Sequence, residues 1–255
     1  MAGDMTRRGP DGAGPTNQGR CPLEGVCSYE RSLARSRTAR RRTDRPDVFT
    51  LHGREWDLLD DVFAPPFSPS TGVAMELLGL APGGRPVTQG AFLEVGCGTG
   101  VIGVAAALTG CDRVVATDIN RNAVRNTALN AVRHGVSGRV RAVHSDLFTA
   151  LPAAERFDTV YWHSNFVMAP PAYRYRDVHE QAYVDPGYAA HLRYLREAPH
   201  RLTEGGRVLL HFSSRGNLAY LRRCLAEDGR ELAVVDASTV QEGPDRVEYT
   251  LLELI

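Results

Sequence analysis

The sequence predicts an α/β protein built on one mostly parallel sheet of seven strands, with helices on both faces and an antiparallel hairpin at one edge. Three observations lead to this fold class. Apolar strands alternate with helical stretches from residue 91 onward, a glycine-rich turn follows the first of these strands, and the last two strands have no helix between them. The chain has 255 residues, 43% of them hydrophobic, which suits one globular domain of about 200 residues with additional segments.

The alternation appears as apolar runs of strand length separated by stretches with helical periodicity. We predict strands at residues 91–95, 113–117, 140–144, 158–162, 207–212, 232–236 and 247–253. We predict helices at residues 101–108, 121–134, 188–202 and 217–227. Because parallel strands are joined by crossovers, this order places helices on both faces of the sheet.

Residues 47–90 are predicted to form a smaller unit ahead of the main domain, which spans residues 91–255. Two short runs of alternating apolar and polar residues flank His52-Gly53, a pattern typical of a hairpin. The hydroxyl-rich stretch 68–71 then precedes apolar residues at helical spacing, as at the start of a helix. We expect this hairpin and helix to cover the functional site.

Residues 1–46 differ in composition from the rest of the chain. They contain ten arginines and five acidic residues, whereas residues 47–255 contain twenty arginines and twenty-five acidic residues. With few large aliphatic side chains to bury, residues 1–46 are predicted to be disordered, although residues 32–42 have the pattern of a short basic helix. Arg40 to Arg42 have two interpretations, a nucleic-acid contact or a solvated tail, and the solvated tail is favoured because every basic residue of the chain is arginine.

The composition also argues against several classes of protein. No run approaches the roughly 18 apolar residues of a membrane-spanning helix, and the N-terminus lacks an apolar signal core. The five cysteines are scattered, and no second pair or histidine cluster completes a zinc site. We therefore expect a cytoplasmic protein with free thiols, no membrane contact and no metal.

The strongest local signal is the stretch FLEVGCGTG at residues 92–100, in which a strand enters a glycine-rich turn and then a helix. Gly96, Gly98 and Gly100 leave no Cβ between the backbone and a ligand, so a nucleoside can approach closely. The following helix directs free N–H groups at the turn. Glu94 would repel a pyrophosphate, but it suits a ligand that carries a cationic amine.

Two further carboxylates follow the next two strands. Asp118 lies at the carboxyl end of the second strand, where it can accept hydrogen bonds from both ribose hydroxyls of an adenosine. Asp146 lies after the third strand, where it can accept from the adenine amino group while Leu147 packs on the ring. Three carboxylates in this order, each after its own strand, predict a nucleoside site with a Rossmann-like architecture.

These motifs resemble those of the class I S-adenosylmethionine-dependent methyltransferases. The resemblance covers about residues 48–255 and is best between residues 92 and 166. It implies that S-adenosylmethionine is the cofactor, with Glu94 near the methionine amino group, Asp118 at the ribose and Asp146 at the adenine. The cofactor site that it implies comprises Thr71, Glu94, Gly96, Cys97, Gly98, Gly100, Asp118, Ile119, Asp146, Leu147 and His163.

The fourth strand departs from the branch that the chain resembles most. In the small-methyltransferase-domain branch, which modifies glutamine or nucleobase nitrogens, this strand ends in Asn-Pro-Pro-Tyr/Phe, and the asparagine holds the acceptor nitrogen. Here residues 163–166 read His-Ser-Asn-Phe. His163 is a candidate proton acceptor, a hydrogen-bonding contact to substrate, or a structural strand-end histidine. Asn165 is a candidate for supplying the missing amide from two residues later.

The stretch 167–186 is unusually long for a connection between a strand and a helix, which is typical of a binding loop. Together with Phe166, its residues Tyr173, Tyr175 and Tyr183 are predicted to contact a polar small molecule. The alternative is a surface loop packed by its own tyrosines. Residues 185–188 read Asp-Pro-Gly-Tyr, which matches a sub-branch of the same family.

The sequence therefore predicts methyl transfer from S-adenosylmethionine to a nitrogen or oxygen of a small metabolite, an amino acid or an intermediate of bacterial secondary metabolism. RNA or protein is the alternative acceptor, and a catalytically degenerate cofactor-binding subunit is a second alternative. A nicotinamide-dependent dehydrogenase is a third, because residues 98–103 match Gly-x-Gly-x-x-Gly. The position of Glu94 beside the turn and the Asp146 motif argue against that third alternative.

Overall fold

The computed structural model describes residues 28–255, and residues 1–27 lie outside the described part of the chain. Its helices are α1 (Tyr29–Arg41), α2 (Ser70–Leu77), α3 (Val101–Leu108), α4 (Arg121–Arg133), α5 (Ala189–Glu197) and α6 (Leu218–Glu227). Its strands are β1 (Val48–Leu51), β2 (Arg54–Asp57), β3 (Ala91–Val95), β4 (Arg113–Asp118), β5 (Val140–His144), β6 (Phe157–His163), β7 (Met168–Ala169), β8 (Asp185–Pro186), β9 (Leu202–Ser213), β10 (Leu232–Glu242) and β11 (Asp245–Leu254).

The main sheet has seven strands in the order β10-β11-β9-β6-β3-β4-β5. The five strands from β9 to β5 in this order run parallel, and β11 pairs antiparallel with both β9 and β10. The predicted fold class is therefore confirmed, including the antiparallel edge hairpin. The chain leaves the central strand β3 toward β4 and then returns to β6 on its other side, which opens a crevice at the carboxyl edge.

Several elements have different bounds from those predicted. The predicted helix 188–202 ends at Glu197, because a 3-10 turn with Pro199 in its first positions leads from there into β9. Helix α2 begins at Ser70, and its N-cap is Pro69, which makes no side-chain capping bond. The hydroxyl-rich stretch therefore lies partly inside the helix instead of capping it.

The prediction of a disordered tail is wrong for residues 28–46, whereas the short basic helix expected at residues 32–42 is present as α1, which packs on the domain. Leu33 and Ala39 are buried, and the Ser32 hydroxyl donates a 2.8 Å hydrogen bond to the carbonyl of Tyr183. Ser36 Oγ lies 2.8 Å from His179 Nδ1. The average composition of residues 28–46 does not reveal this packing, because the small buried residues recur on one face of an otherwise charged helix. The rest of the predicted tail lies outside the described residues.

The β1–β2 hairpin forms as predicted and docks on helix α4. Trp56 is fully buried, and two asparagines of α4 bind the backbone that leaves the hairpin. Asn130 Oδ1 accepts from the amide of Asp57 at 2.8 Å, and Asn126 Oδ1 accepts from the amide of Leu59 at 2.8 Å. This docking fixes residues 59–67 over the carboxyl edge of the sheet. None of the helices within residues 28–255 is long and apolar enough to cross a membrane.

Candidate active site

A cavity lies in the crevice at the carboxyl edge, with about 1250 Å³ of space free of protein atoms when the part open to solvent is counted. Its walls come from residues 61–71, the strand ends and glycine turn, and the long connection (residues 167–186) that covers them. The predicted site residues that line it are Thr71, Glu94, Gly96, Cys97, Gly98, Asp118, Ile119, Asp146, Leu147, His163, Asn165, Phe166 and Tyr175. The structure thus gathers thirteen of the sixteen candidates around one space.

The glycine turn depends on left-handed backbone that favours glycine. Gly96, Gly98 and Gly100 have φ values of 65°, 54° and 79°. A Cβ at Gly96 would lie 3.0 Å from Trp162 Nε1, and a Cβ at Gly100 would lie 2.7–2.8 Å from atoms of Thr127. Gly98 has open space beside it. Gly100 does not line the cavity, so its part is to let the turn enter α3.

Glu94 is a buried carboxylate in the wall of the cavity. Its Oε2 accepts a 2.8 Å hydrogen bond from the amide of Gly103, and the side chain is only 2% exposed. Burial raises the pKa of Glu94 well above its ordinary value, since the charged form loses its hydration. A cationic group placed in the cavity would offset that cost and favour the ionised form.

Asp118 is held by backbone donors on both of its carboxylate oxygens. Oδ2 accepts from the amide of Gly98 at 2.9 Å, and Oδ1 accepts from the amide of Asn120 at 2.8 Å. Each oxygen accepts about two hydrogen bonds, so one position remains free on each. Burial raises the pKa of Asp118, while the two amides act in the opposite direction. The carboxylate is therefore oriented and able to accept two more donors.

Asp146 and Leu147 lie at the far end of the cavity. Asp146 shares its carboxylate with Arg193 of α5 in an exposed ion pair of 2.9 Å, a partner that the sequence pattern does not indicate. Leu147 is buried and has a left-handed φ of 49°, which points to a sharp turn after β5. The ion pair uses one carboxylate oxygen and leaves the other without a partner in residues 28–255.

His163 ends β6 and pairs in register with His211 of the neighbouring strand β9. The two ring centroids are 4.5 Å apart, and the Phe166 ring lies 5.6 Å from that of His163. Burial lowers the pKa of His163 to about 4, so the imidazole is neutral near pH 7. It is therefore able to accept a proton. His211 is fully buried, and both of its ring nitrogens lack a partner within the described chain.

Asn165 connects the end of β6 to the long connection that covers the cavity. Its Nδ2 donates to the carbonyls of Gln181 and Val184 at 2.8 and 2.9 Å. Both amide hydrogens are thereby used, and this fixes the orientation of the side chain. Oδ1 is buried with no partner among residues 28–255. An acceptor left in this state is costly unless a ligand supplies a donor.

The tyrosines of the long connection do not act together as predicted. Tyr175 lines the cavity, and its hydroxyl donates to the carbonyl of Val184 at 3.0 Å. Tyr173 and Tyr183 do not line it, so the structure does not bring them together with Tyr175 around the cavity. Tyr183 is buried under α1 between Phe63 and His179, whereas Tyr173 donates to Glu180 near the surface.

The Asp-Pro-Gly-Tyr stretch closes the long connection and starts α5. Asp185 Oδ2 accepts from the amide and Nδ1 of His191, at 2.9 and 2.7 Å. Gly187 and Tyr188 have positive φ values of 59° and 55°. The Tyr188 hydroxyl donates to the carbonyl of Phe166, which itself has a strained φ of 57°. The stretch therefore positions the loop that carries Asn165.

Sequence reasoning missed several residues that line the cavity: Asp61, Phe63, Trp162 and Gln181. The partial burial of Phe63 was predictable, since a large apolar residue close to two prolines in a loop indicates that the loop packs on the domain. His179 belongs to the long connection that the sequence predicts to bind the substrate, and it lines the cavity as a buried side chain beside α1. Its Nδ1 contacts Ser36, and its Nε2 is buried without a partner in the described residues.

The fold and the cavity define a Rossmann-like protein whose glycine turn and strand-end carboxylates face a nucleoside-sized space. Comparison with known proteins agrees with this description. The sequence profile of the ribosomal protein L11 methyltransferase (PrmA) family matches residues 75–167. The release factor glutamine methyltransferase of Bordetella pertussis is 33% identical over 193 residues, which cover 68% of this chain and 67% of that protein. The chain belongs to the class I S-adenosylmethionine-dependent methyltransferases, and it is an enzyme of that family.

Other relatives match over shorter stretches. A ribosomal protein L11 methyltransferase of Pelotomaculum thermopropionicum is 50% identical over 58 residues, which cover 23% of this chain and 19% of that protein. A ribosomal RNA small subunit methyltransferase C of Chromohalobacter salexigens is 35% identical over 127 residues, or 50% of this chain and 32% of that protein. The chain thus spans about a fifth to a third of the length of these two relatives.

Solved structures share the fold. The 16S rRNA N2 G1207 methyltransferase of T. thermophilus, in complex with AdoMet and guanosine, superposes with a TM-score of 0.53 at 21% identity, over 81% of this chain and 48% of that one. The precorrin 8w decarboxylase of Methanobacterium thermoautotrophicum has a TM-score of 0.52 at 20% identity, over 77% of this chain and 96% of that one. At these identities the likeness concerns the fold alone.

Proposed function

We propose that the enzyme methylates a nitrogen carried by a macromolecule, either RNA or protein. The observation that carries this proposal is Asn165, a residue that lines the cavity and whose buried Oδ1 lacks a donor in the described chain. An N–H group of an incoming acceptor would supply that donor. Because Nδ2 is fixed by two carbonyls, the side chain cannot rotate to present its amine instead.

The cofactor side of the cavity suits S-adenosylmethionine. In this proposal Glu94 faces the methionine ammonium, Asp118 accepts from the ribose hydroxyls, and Asp146 uses its remaining oxygen for the adenine amino group. The glycine turn leaves room for close approach. When bound, the cofactor supplies an activated methyl group on a sulfonium, so the protein needs mainly to position the acceptor and remove its proton.

His163 and Asn165 share the acceptor side. Asn165 Oδ1 accepts from one N–H and so holds the nitrogen at the end of β6. His163 is neutral because burial lowers its pKa to about 4, and it is therefore a weak base. It takes the proton only after methyl transfer, when the nitrogen is cationic and strongly acidic. Phe166 packs against both His163 and His211 and fixes the ring of His163 from the side.

The relatives favour a macromolecular acceptor over the small metabolite expected from the sequence. Their names refer to a release factor, ribosomal protein L11 and ribosomal RNA. None of these names refers to a small metabolite, so the comparisons give the small-metabolite prediction no support. The departure His-Ser-Asn-Phe at residues 163–166 argues for an acceptor that differs from those of the branch with Asn-Pro-Pro-Tyr/Phe.

The test is transfer of a labelled methyl group from S-adenosylmethionine to three pools: total RNA, ribosomal and release-factor proteins, and free amino acids. We expect label on nitrogen in one of the first two pools. Asn165→Ala should reduce turnover about 100-fold, the lower range for loss of a positioned catalytic contact, while cofactor affinity stays within threefold. Asn122→Ala is the matched control, because Asn122 also donates to a backbone carbonyl but lies outside the cavity. Label only in the amino-acid pool, or full turnover by Asn165→Ala, would contradict the proposal.

A further inference from the structure

Five exposed arginines of α1 and of the long connection make no ion pair within residues 28–255. Three are on α1, and two are on the long connection that α1 contacts. We call these five side chains the arginine face, which comprises Arg31, Arg37, Arg41, Arg174 and Arg176. Arg37 and Arg41 are four residues apart on one side of the helix, a spacing that puts Cβ atoms about 6 Å apart. Together with Arg176 they line one groove. The fold itself does not explain this group of arginines without ion-pair partners.

The arginine face contrasts with the charge of the rest of the molecule. Residues 28–46 carry seven arginines and two acidic residues, whereas residues 47–255 carry twenty and twenty-five. Arg40, in the same groove, is already used in ion pairs with Asp61 and Asp177 at 3.0 and 2.7 Å. These pairs hold α1 in place, and the unpaired arginines remain available to an anionic partner.

Two half-exposed tyrosines lie among these arginines. Tyr29 of α1 and Tyr173 of the long connection meet edge to face with ring centroids 5.9 Å apart. The Tyr173 hydroxyl is held by Glu180 at 2.7 Å, which fixes the ring. The charges of Arg37 and Arg176 are close enough to oppose the burial and hydrogen bonding that raise the pKa of Tyr173 to about 12.

We propose that the arginine face, with Tyr29 and Tyr173, docks a single-stranded segment of RNA whose target base enters the cavity. This inference rests on the proposed function and names its substrate class. Arginines bind phosphates, and aromatic rings stack on unpaired bases, which is the combination that single-stranded nucleic acid requires. An acidic peptide would use the arginines but would leave the tyrosines without a planar partner.

The face is joined to the rim of the cavity. The contacts of Ser32 and Ser36 tie α1 to the long connection, whose residues Tyr175 and His179 line the cavity. RNA bound along α1 therefore lies next to the entrance and not on a remote surface. Arg31 and Arg41 are ten residues apart, about 15 Å along the helix, which is enough for several nucleotides.

The test measures the anisotropy of a fluorescein-labelled single-stranded RNA of about 15 nucleotides between 50 and 200 mM salt. The variant Arg37→Gln/Arg41→Gln/Arg176→Gln should bind at least tenfold more weakly at 50 mM salt. For this variant, the slope of log affinity against log salt concentration should be shallower by about 2 than for the natural protein. Each lost phosphate contact on a single strand reduces that slope by about 0.7. Calorimetry should show unchanged affinity for S-adenosylmethionine.

The matched control is Arg54→Gln/Arg85→Gln/Arg246→Gln, which removes three exposed arginines that line neither the groove nor the cavity. It should bind RNA like the natural protein. Equal weakening in both triple variants would overturn the proposal, as would competition by a polyglutamate peptide that matches competition by unlabelled RNA. If the natural protein binds S-adenosylmethionine but not RNA, only this inference is contradicted. If the natural protein does not bind S-adenosylmethionine, the proposed function is contradicted.

Discussion

Asp118 offers the most direct test of the cofactor site at the level of one residue. Its two oxygens already accept from the amides of Gly98 and Asn120, so the carboxylate is preorganised for two hydroxyl donors. Asp118→Ala should weaken binding of S-adenosylmethionine by more than tenfold, because a charged hydrogen bond contributes about 1.5–3 kcal/mol. Isothermal titration calorimetry measures this directly. Asp112→Ala, at the exposed opposite end of the β4 region, should bind normally. Unchanged affinity in Asp118→Ala would refute the ribose assignment.

The buried histidines predict how stability depends on pH. Burial lowers the pKa of both His163 and His179 to about 4, below the 6.5 of an unfolded chain. The folded state therefore binds fewer protons between these values, and its stability is lost as the pH falls from 6.5 toward 4. Each residue should account for about 2 kcal/mol between pH 8 and pH 5.

Urea unfolding at several pH values checks this expectation. His163→Phe and His179→Phe should each flatten the decline below pH 6.5, whereas His200→Gln, at an exposed position, should leave it unchanged. A decline of the same slope in all three variants would mean that other groups control the acid sensitivity.

Sequence reasoning at this scale located the carboxylates, because each lies at or near the carboxyl end of an apolar strand and parallel strands bring these ends together. It did not find the pairing of His163 with His211, since the neighbour of β6 is a strand some 40 residues later in the chain. Nor does any pattern show that Asn165 uses both of its hydrogens on the long connection. Side-chain orientation depends on contacts that only the folded chain creates.

Helix α1 gives the clearest prediction at the level of elements. It buries Leu33 and Ala39 and makes hydrogen bonds through Ser32 and Ser36. Removing residues 1–46 should therefore lower the Tm by at least about 3 °C relative to removing residues 1–27 alone. One buried leucine contributes about 1.5–3 kcal/mol, and 1 kcal/mol corresponds to about 2–4 °C in a chain of this size.

Differential scanning calorimetry of the two truncated proteins makes the comparison. Equal Tm values would mean that α1 contributes no net stability. The expectation of disorder for residues 28–46 failed because arginines dominate their average composition, while Ser32, Ser36 and Ala39 form a narrow stripe of small residues. Helix α3, by contrast, was predicted with its correct bounds, since an apolar helix after a glycine turn has sharp signals at both ends.

At the level of the whole molecule, the sheet was predictable because alternating strands and helices permit few topologies. The position of the cavity followed from the point where the chain reverses from β4 and β5 to β6. What covers the cavity was less predictable. Residues 59–67, α1 and the long connection lie far apart in the sequence. Docking of the hairpin on α4 positions the first, and the contacts of Ser32 and Ser36 join α1 to the long connection.

Arg40 joins two of these covering segments, since its guanidinium binds Asp61 on one side and Asp177 on the other. All three side chains are substantially exposed, so each ion pair contributes only about 0–1 kcal/mol and is weakened by salt. Two weak, salt-sensitive ion pairs thus connect the two borders of the cavity. We expect higher ionic strength to weaken this connection between the two borders of the cavity.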